Sequence, residues 1–395
     1  MRDILSESLY VHIPFCRRRC VYCDFFSLGE RFARWPEFVD ALLREAEARL
    51  RVLPDVSRIA NSSAVSRSFP TIYIGGGTPS LIPENEFLRL ASGLTNLMGA
   101  PQEFTVEVNP DDVSYSKLSA WREAGVNRVS VGVQSLVDAE LRFIGRRHDA
   151  EKAMEALRML GDNFNNVSAD LIFGLPLQTL DSLRFSLEKI MDTAPKHISI
   201  YSLMYEEKTA LTRMRNAGKV METDEAVSEK MFELICEMTR AAGYRHYEIS
   251  NFALPGYESR HNSGYWAGTS YVGLGPGAHS YDGARVRSNN PPDINAYMRA
   301  WGSLENGENM QSEYAKSEYL DEDELREEMI ITRMRMAEGL DLNEFSEAFG
   351  ERACKKLLRE SEKFCRDGML SLSANHIRFT RKGIMISDNI LSSLI

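Results

Sequence analysis

Ser8-Leu-Tyr10-Val-His12-Ile-Pro-Phe-Cys16-Arg-Arg-Arg-Cys20-Val-Tyr22-Cys23-Asp-Phe25 decides how this chain is read. Its opening, Ser8–His12, is a short apolar run with the make-up of a β-strand. Three cysteines follow at once, on the loop where that strand ends. Five more runs of this kind occur at Thr71–Ile74, Phe104–Val108, Arg128–Val133, Val167–Ile172 and His197–Tyr201. Helical patterns lie between them, beginning at Pro36, Leu118 and Ala150. The last sets Ala153, Ala156, Leu157 and Leu160 on one stripe. Strands alternating with helices imply parallel βα units, hence a doubly wound sheet or a full or partial βα barrel. Right-handed crossovers bring every strand's carboxyl end to one face, and in a barrel that face carries the chemistry.

The cysteines therefore sit where a barrel builds its site. Six cysteines in 395 residues are too few for a disulfide scaffold, and three of them fall within eight residues. Clustered thiols point to a metal. Cys236, in EKMFELICEM, has the setting of a buried apolar filler. Spaced C-x3-C-x2-C, Cys16, Cys20 and Cys23 can each hold one iron of a cubane cluster. Such clusters usually take four thiolates. With no fourth cysteine nearby, one iron is open to a non-protein ligand, which by analogy with zinc marks chemistry rather than structure. Three arginines offset part of the cluster's charge, and Tyr22 adds an aromatic wall. The competing reading is a zinc site completed by His12 or a distant ligand, although zinc sites more often show paired C-x2-C units.

Polar residues gather at the ends of the following strands. Gly75, Gly76, Gly77 and Thr78 close the second and expose backbone N–H groups to a ligand. No Gly-Lys-Ser/Thr follows, so a P-loop is not expected; a plain tight turn is the bland alternative. Glu107 ends the third strand, where a carboxylate can accept hydrogen bonds from ribose hydroxyls. Gln134 closes the fourth, Arg146 follows it, and Asp170 stands in the fifth. Each alone is more often a cap or a structural pair; together they mark the active end of a barrel.

After about Glu206 the pattern changes. Helices are expected around Thr209–Ala217 and Asp224–Ala242, then one strand in RHYEISNFA, then a Gly-rich aromatic passage from Tyr257 to Gly283, whose glycine-rich stretch at Tyr271–Ser280 reads as a tight loop approaching a ligand. It holds His261-Asn262-Ser263-Gly264-Tyr265-Trp266 and, further on, Tyr271 and His279. An imidazole beside Tyr and Trp can hold a flat macrocycle, His as axial iron ligand and the aromatics against the ring. The alternative is a core histidine packed among aromatics. Residues 325–395 suggest helices followed by a hairpin, a winged-helix-like unit. Its Arg and Lys are too mixed with Glu for a basic face, so DNA binding is not expected. The boundaries expected are 1–245 for the barrel core, 246–300 for an extension carrying the His261–Trp266 motif, 301–324 for a linker and 325–395 for the C-terminal module. Asn61–Ser68 reads as an exposed loop.

Composition narrows the function. Hydrophobic residues are 43% and charged residues 26%, as in ordinary globular chains, and the net charge is -10. That balance argues against a nucleic-acid binder. No stretch approaches the roughly 20 apolar residues of a membrane span. The first residues carry charges where a signal peptide has its apolar run, so a cytoplasmic protein is expected.

C-x3-C-x2-C with an aromatic before the last cysteine resembles the radical S-adenosylmethionine superfamily. Segments from LYVHIPFC through YIGGGTPS, EVNP, RVSVGVQS, DLIFGLP and HNSGYW to GMLSLSANHIRFTRKG are similar, in order and spacing, to the coproporphyrinogen III dehydrogenase-like group. The His261–Trp266 motif is similar to that of its HemW-type heme chaperones. The resemblance implies an α/β fold, a partial (β/α)6 TIM-like barrel with a smaller α+β, winged-helix-like C-terminal module. It implies a 4Fe-4S cluster on Cys16, Cys20 and Cys23, its open iron chelated by the methionyl amine and carboxylate of S-adenosylmethionine. Tyr10, Tyr22, Gly76, Gly77, Thr78, Glu107, Gln134, Arg146 and Asp170 match the S-adenosylmethionine-contacting motifs. His261, Asn262, Tyr265 and Trp266 match the stretch linked to heme. The implied function is heme binding and delivery to apo-hemoproteins such as respiratory enzymes. The dehydrogenase has a fourth cysteine two residues after the third, where this chain has Phe25, and a longer N-terminal arm. The alternative is an oxygen-independent coproporphyrinogen III oxidase or another radical enzyme acting on a tetrapyrrole. Partners expected are heme and recipient apo-hemoproteins, with no nucleic acid; a homodimer and peripheral membrane contact through the recipients are left open.

Overall fold

In the computed structural model, which describes residues 8–51, 71–302 and 314–395, all six apolar runs are strands. β1 (Ser8–Ile13) is followed by a short parallel pair, β2 (Phe15–Cys16) and β3 (Leu28–Gly29), that folds the cysteine loop back on itself. Then come β4 (Thr71–Gly76), β5 (Glu103–Val108), β6 (Arg128–Gln134), β7 (Asn166–Phe173) and β8 (His197–Ser202). β1, β4, β5, β6, β7 and β8 lie side by side, all parallel. Between them run α1 (Trp35–Arg51), α2 (Glu84–Met98), α3 (Tyr115–Glu123), α4 (Asp138–Ile144), α5 (Ala150–Asn163) and α6 (Leu180–Met191). The side-chain carboxylate of Asp149 caps α5 by accepting from the Lys152 N–H, and the stripe Ala153, Ala156, Leu157 and Leu160 is buried. Leu9, Val11 and Ile13 join Phe38 and Leu42 of α1 in one core. The pleat therefore turns Tyr10 and His12 to the barrel interior. The Asn61–Ser68 loop lies outside the described residues.

α7 (Ala210–Asn216) and α8 (Glu225–Ala241) fall where the sequence places them. RHYEISNFA is two strands rather than one. β9 (Arg245–Glu248) and β10 (Asn251–Ala253) pair antiparallel across a turn at Ile249 and Ser250, and β10 adds to β8. The aromatic passage contains a helix, α9 (Arg260–Trp266), and the stretch read as a tight loop opens with a strand, β11 (Tyr271–Leu274), which pairs in parallel with the free side of β1. β12 (His279–Tyr281), β13 (Val286–Asn289) and β14 (Lys316–Tyr319) continue the sheet antiparallel. β14 falls inside the stretch 301–324, and all four of its residues are exposed. The sheet thus runs through twelve strands from β14 to β9, and those two ends do not pair with each other among the described residues.

α1 clamps this extension. Glu45 is fully buried and accepts from the Gly275 N–H (2.8 Å), Asn290 Nδ2 (2.7 Å) and the Tyr297 hydroxyl (2.9 Å). One turn on, Arg49 donates to the Gly273 carbonyl (2.7 Å) and to Ser280 Oγ (2.8 Å).

The C-terminal module has its own core, including Met334, Phe345, Ile377 and Leu391. Helix Glu322–Met334 and a second over Leu342–Arg366, interrupted at Gly350 (φ 85°), lead to a three-stranded sheet of β15 (Leu340–Asp341), β16 (Leu370–Ser373) and β17 (His376–Phe379). Helices followed by a hairpin match the winged-helix-like expectation. Backbone bonds dock the module on the barrel, Ile249 N–H to the Arg335 carbonyl and Ala337 N–H to the Tyr247 carbonyl, each 3.0 Å. Arg333 donates to the Trp266 carbonyl (2.5 Å), and the Arg335 guanidinium lies 4.5 Å from the Trp266 ring centroid.

Candidate functional site

Cys16, Cys20 and Cys23 border one cavity of about 410 Å3 at the carboxyl ends of the strands. Gly76, Gly77, Thr78, Glu107, Gln134, Arg146, Asp170 and Tyr22 border it too, so the loop after β1 and the ends of β4 to β7 converge there. All three cysteines are free thiols. No group of three His, Cys, Asp or Glu side chains among the described residues is arranged to hold a single metal ion. A cubane asks for something else, one sulfur on each of three irons and therefore a shared cavity rather than a shared point.

The residues around the sulfurs fit such a group. The Thr78 hydroxyl donates to Cys16 Sγ (3.3 Å), and Arg146 lies 3.7 Å from Cys20 Sγ. Arg146 also donates to Asn109 Oδ1 (2.7 Å) and the Gly132 carbonyl (2.5 Å), while its Nε is buried without a partner among the described residues. A half-buried cation beside thiols suits an anionic cluster or carboxylate. Burial raises the Cys16 thiol, and raises that of Cys23 to about 11. A metal would displace those protons.

The glycines are cradles. A Cβ on Gly77 would lie 2.8 Å from the Ile13 carbonyl oxygen and 3.1 Å from Cys16 Sγ. Gly76 has φ 109°, and its Cβ would strike the His12 ring. Gln134 has φ 69° where the β6–β7 register shifts. A non-glycine residue in that region is strained, and such strain gathers at sites.

Two carboxylates face the same space. Glu107 accepts from the Tyr73 hydroxyl (2.7 Å) and the Gly76 N–H (3.0 Å). Burial lifts it to about 7, the Tyr73 bond pulling down and the Asp170 charge pushing up. Asp170 accepts from Ser130 (2.9 Å) and Ser168 (3.1 Å), and burial raises it as well.

Tyr10 does not border this cavity. Its hydroxyl bonds to His12 Nδ1 (3.0 Å), and both residues border a second, larger cavity of about 1080 Å3. Phe25, 63% exposed, borders both. The larger space lies between the barrel and the C-terminal module. Phe26, Tyr265, Trp266, Tyr271 and Tyr281 wall it on one side, and Leu325 and Met329 of helix Glu322–Met334 on the other.

Of the His261–Trp266 motif, Tyr265 and Trp266 border the larger cavity; His261 and Asn262 border neither. His261 is 1% exposed and stacked on Tyr73 at 4.9 Å. Its Nδ1 bonds to Thr71 Oγ1 (2.6 Å) and its Nε2 to the Tyr265 hydroxyl (2.9 Å). Burial, with the Arg128 charge, lowers its pKa to about 3.

Residues 10–190 match the model of the Radical SAM superfamily, and residues 320–386 that of the HemN C-terminal domain. Along nearly its whole length the chain is 32% identical to "Heme chaperone HemW" of Bacillus subtilis, covering 98% of this chain and 99% of that one. The chain belongs to the HemW family. A HemW chaperone of Mycobacterium tuberculosis is likewise 32% identical, over 98% of this chain and 94% of its own. The mitochondrial "Radical S-adenosyl methionine domain-containing protein 1" of Bos taurus is 31% identical over 98% and 87%. Among solved structures, coproporphyrinogen III oxidase (HemN) from Escherichia coli superposes with a TM-score of 0.80 at 22% identity, covering 98% of this chain and 90% of that one. That likeness is one of fold. In this HemW-family chain no helix among the described residues is long and apolar enough to cross a membrane.

Sequence reading passed over several residues that serve these cavities. Ser130 borders the smaller one and holds the carboxylates together with Tyr73 and Ser168, which border neither, and nothing but strand alternation could have placed them inside. Arg285 and Arg287, beside and within β13, and Arg333, from the distant helix Glu322–Met334, also border the larger cavity.

Proposed function

We propose that this chain is a heme chaperone: it holds a 4Fe-4S cluster and S-adenosylmethionine in the smaller cavity and heme in the larger, and passes heme to apo-hemoproteins. The observation that carries the reading is the pairing of the two cavities, one edged by three thiols, the other broad and aromatic, with Phe25 on the wall of both. When bound, the cluster and S-adenosylmethionine supply one-electron chemistry at the sulfonium. The chain's own part is to orient and enclose. Cys16, Cys20 and Cys23 hold the cluster, Arg146 faces its charge, and the Gly76–Thr78 backbone lets the methionyl end come close. Glu107 and Asp170 accept from the ribose hydroxyls.

The test is anaerobic reconstitution. Iron and labile sulfide should appear at about four each per chain, and should be lost in the Cys16→Ala, Cys20→Ala and Cys23→Ala variants. Heme should then bind with a Soret band and move to an apo-hemoprotein on mixing. Zinc without sulfide would overturn the cluster assignment. Turnover of coproporphyrinogen or heme in the presence of dithionite and S-adenosylmethionine, followed by mass spectrometry, would replace the chaperone with an enzyme.

A further inference from the structure

We propose that heme in the larger cavity is bound through the imidazole of His279, and not through that of His261; the assignment rests on the heme-binding reading above. Two histidines border the cavity, His12 and His279. His12 is committed on both sides, Nδ1 to the Tyr10 hydroxyl and Nε2 to the Phe26 carbonyl, each at 3.0 Å. His261 is committed too, and lies behind the Tyr265 ring rather than in the cavity. The His279 ring has no hydrogen-bond partner among the described residues, and the residue is exposed. An iron ligand needs an unengaged ring nitrogen, and this is the imidazole that has one where the cargo would lie.

Its position is also fixed in advance. His279 opens β12, and with Tyr281 it shares the face of the pleat turned to the cavity. Ser280 between them points the other way, is buried, and bonds to Arg49 and to the Gly273 N–H (2.9 Å). The turn before it needs glycine. Gly275 and Gly277 have φ 94° and 83°, and a Cβ on Gly273 would lie 2.0 Å from the His279 carbonyl oxygen. The Gly275 N–H is held by the buried Glu45 carboxylate. A ligand set on such a backbone is ready before cargo arrives. Partial burial, then the nearby Arg287 charge, lowers the His279 pKa, which keeps the ring neutral as a ligand must be. Tyr271 and Tyr281 offer flat walls beside it, and Leu325 and Met329 an apolar one across. A single strong protein bond to the iron suits a carrier that has to let go.

Full-length protein with its cluster reconstituted should be titrated with ferrous and ferric heme, comparing wild type with His279→Ala and His261→Ala. Resonance Raman of the ferrous complex should show an iron–imidazole stretch in wild type and in His261→Ala. The stretch should vanish in His279→Ala and return with added free imidazole, and heme affinity should fall about tenfold or more. Circular dichroism and the iron content of each variant report folding, and His279→Gln, which keeps size without a ring, guards against a packing effect. Retention of the stretch in His279→Ala overturns the assignment. So does its loss in a folded His261→Ala with His279 intact. Wild type that takes up no heme overturns the parent reading as well.

Discussion

Glu107 shows how one side chain's surroundings set its behaviour. It sits deep in the barrel on the wall of the smaller cavity, and burial brings its carboxyl to about 7. Because that lies above the ordinary carboxylate range, the stability it contributes is full below that range and is lost as pH rises through about 7. The ligand-free protein should therefore lose stability over that interval, and Glu107→Gln should flatten the slope in denaturant titrations at several pH values. S-adenosylmethionine affinity should move the opposite way. A charged carboxylate accepts ribose hydroxyls better, so calorimetry at roughly pH 8 should give several-fold tighter binding than at roughly pH 6, with little change in Glu107→Gln. Gly77 gives a steric prediction. Its missing Cβ would press on two backbone carbonyls and Cys16 Sγ, so Gly77→Ala should cost about 1–3 kcal/mol and lower the iron bound per chain. Most of the smaller cavity's rim was legible because polar residues interrupt apolar runs at each strand end. The choice between His261 and His279 was not. Both are imidazoles among glycines and aromatics, and only the three-dimensional accounting of ring nitrogens separates them.

The parallel strands were legible almost to the residue, since each is a β-rich run buried on both faces and bounded by polar ends. β14 was hidden for the opposite reason. Lys316–Tyr319 is exposed throughout and carries no apolar alternation, so the backbone pairing with β13 is all that makes it a strand. RHYEISNFA hid its turn because apolar Ile249 keeps the pattern running through it. The α1 clamp ties these late strands to the barrel. Glu45→Ala should destabilise by about 3 kcal/mol or more, because Asn290, Tyr297, the Gly275 N–H and Arg49 all lose a buried acceptor. A lower urea midpoint with an unchanged m-value would show it. Arg128 on β6 is the matching cation, 1% exposed and attracted chiefly by Glu103. Arg128→Met should cost about 3–5 kcal/mol by stranding the carboxylates around it, read in the same titration.

At the scale of the molecule, alternation was enough for parallel βα units with an added module, the family resemblance chose the barrel over a doubly wound sheet, and neither showed how the two parts meet. The meeting surface is written in contacts such as Arg333 with the Trp266 carbonyl and Arg287 with Glu328, 67 residues apart in the first case. Heme seated between the parts should tie them together. Hydrogen exchange should slow in both the His279–Arg287 segment and helix Glu322–Met334 on heme binding, and the unfolding temperature should rise with heme concentration. The sheet itself adds a last point. A closed ring of strands has a set girth, and widening it means breaking a ladder. This one leaves β14 and β9 unpaired with each other among the described residues, and on the β9 side backbone bonds at Tyr247 and Ile249 fasten the C-terminal module instead. The girth of the barrel is therefore set in part by how firmly that module is seated.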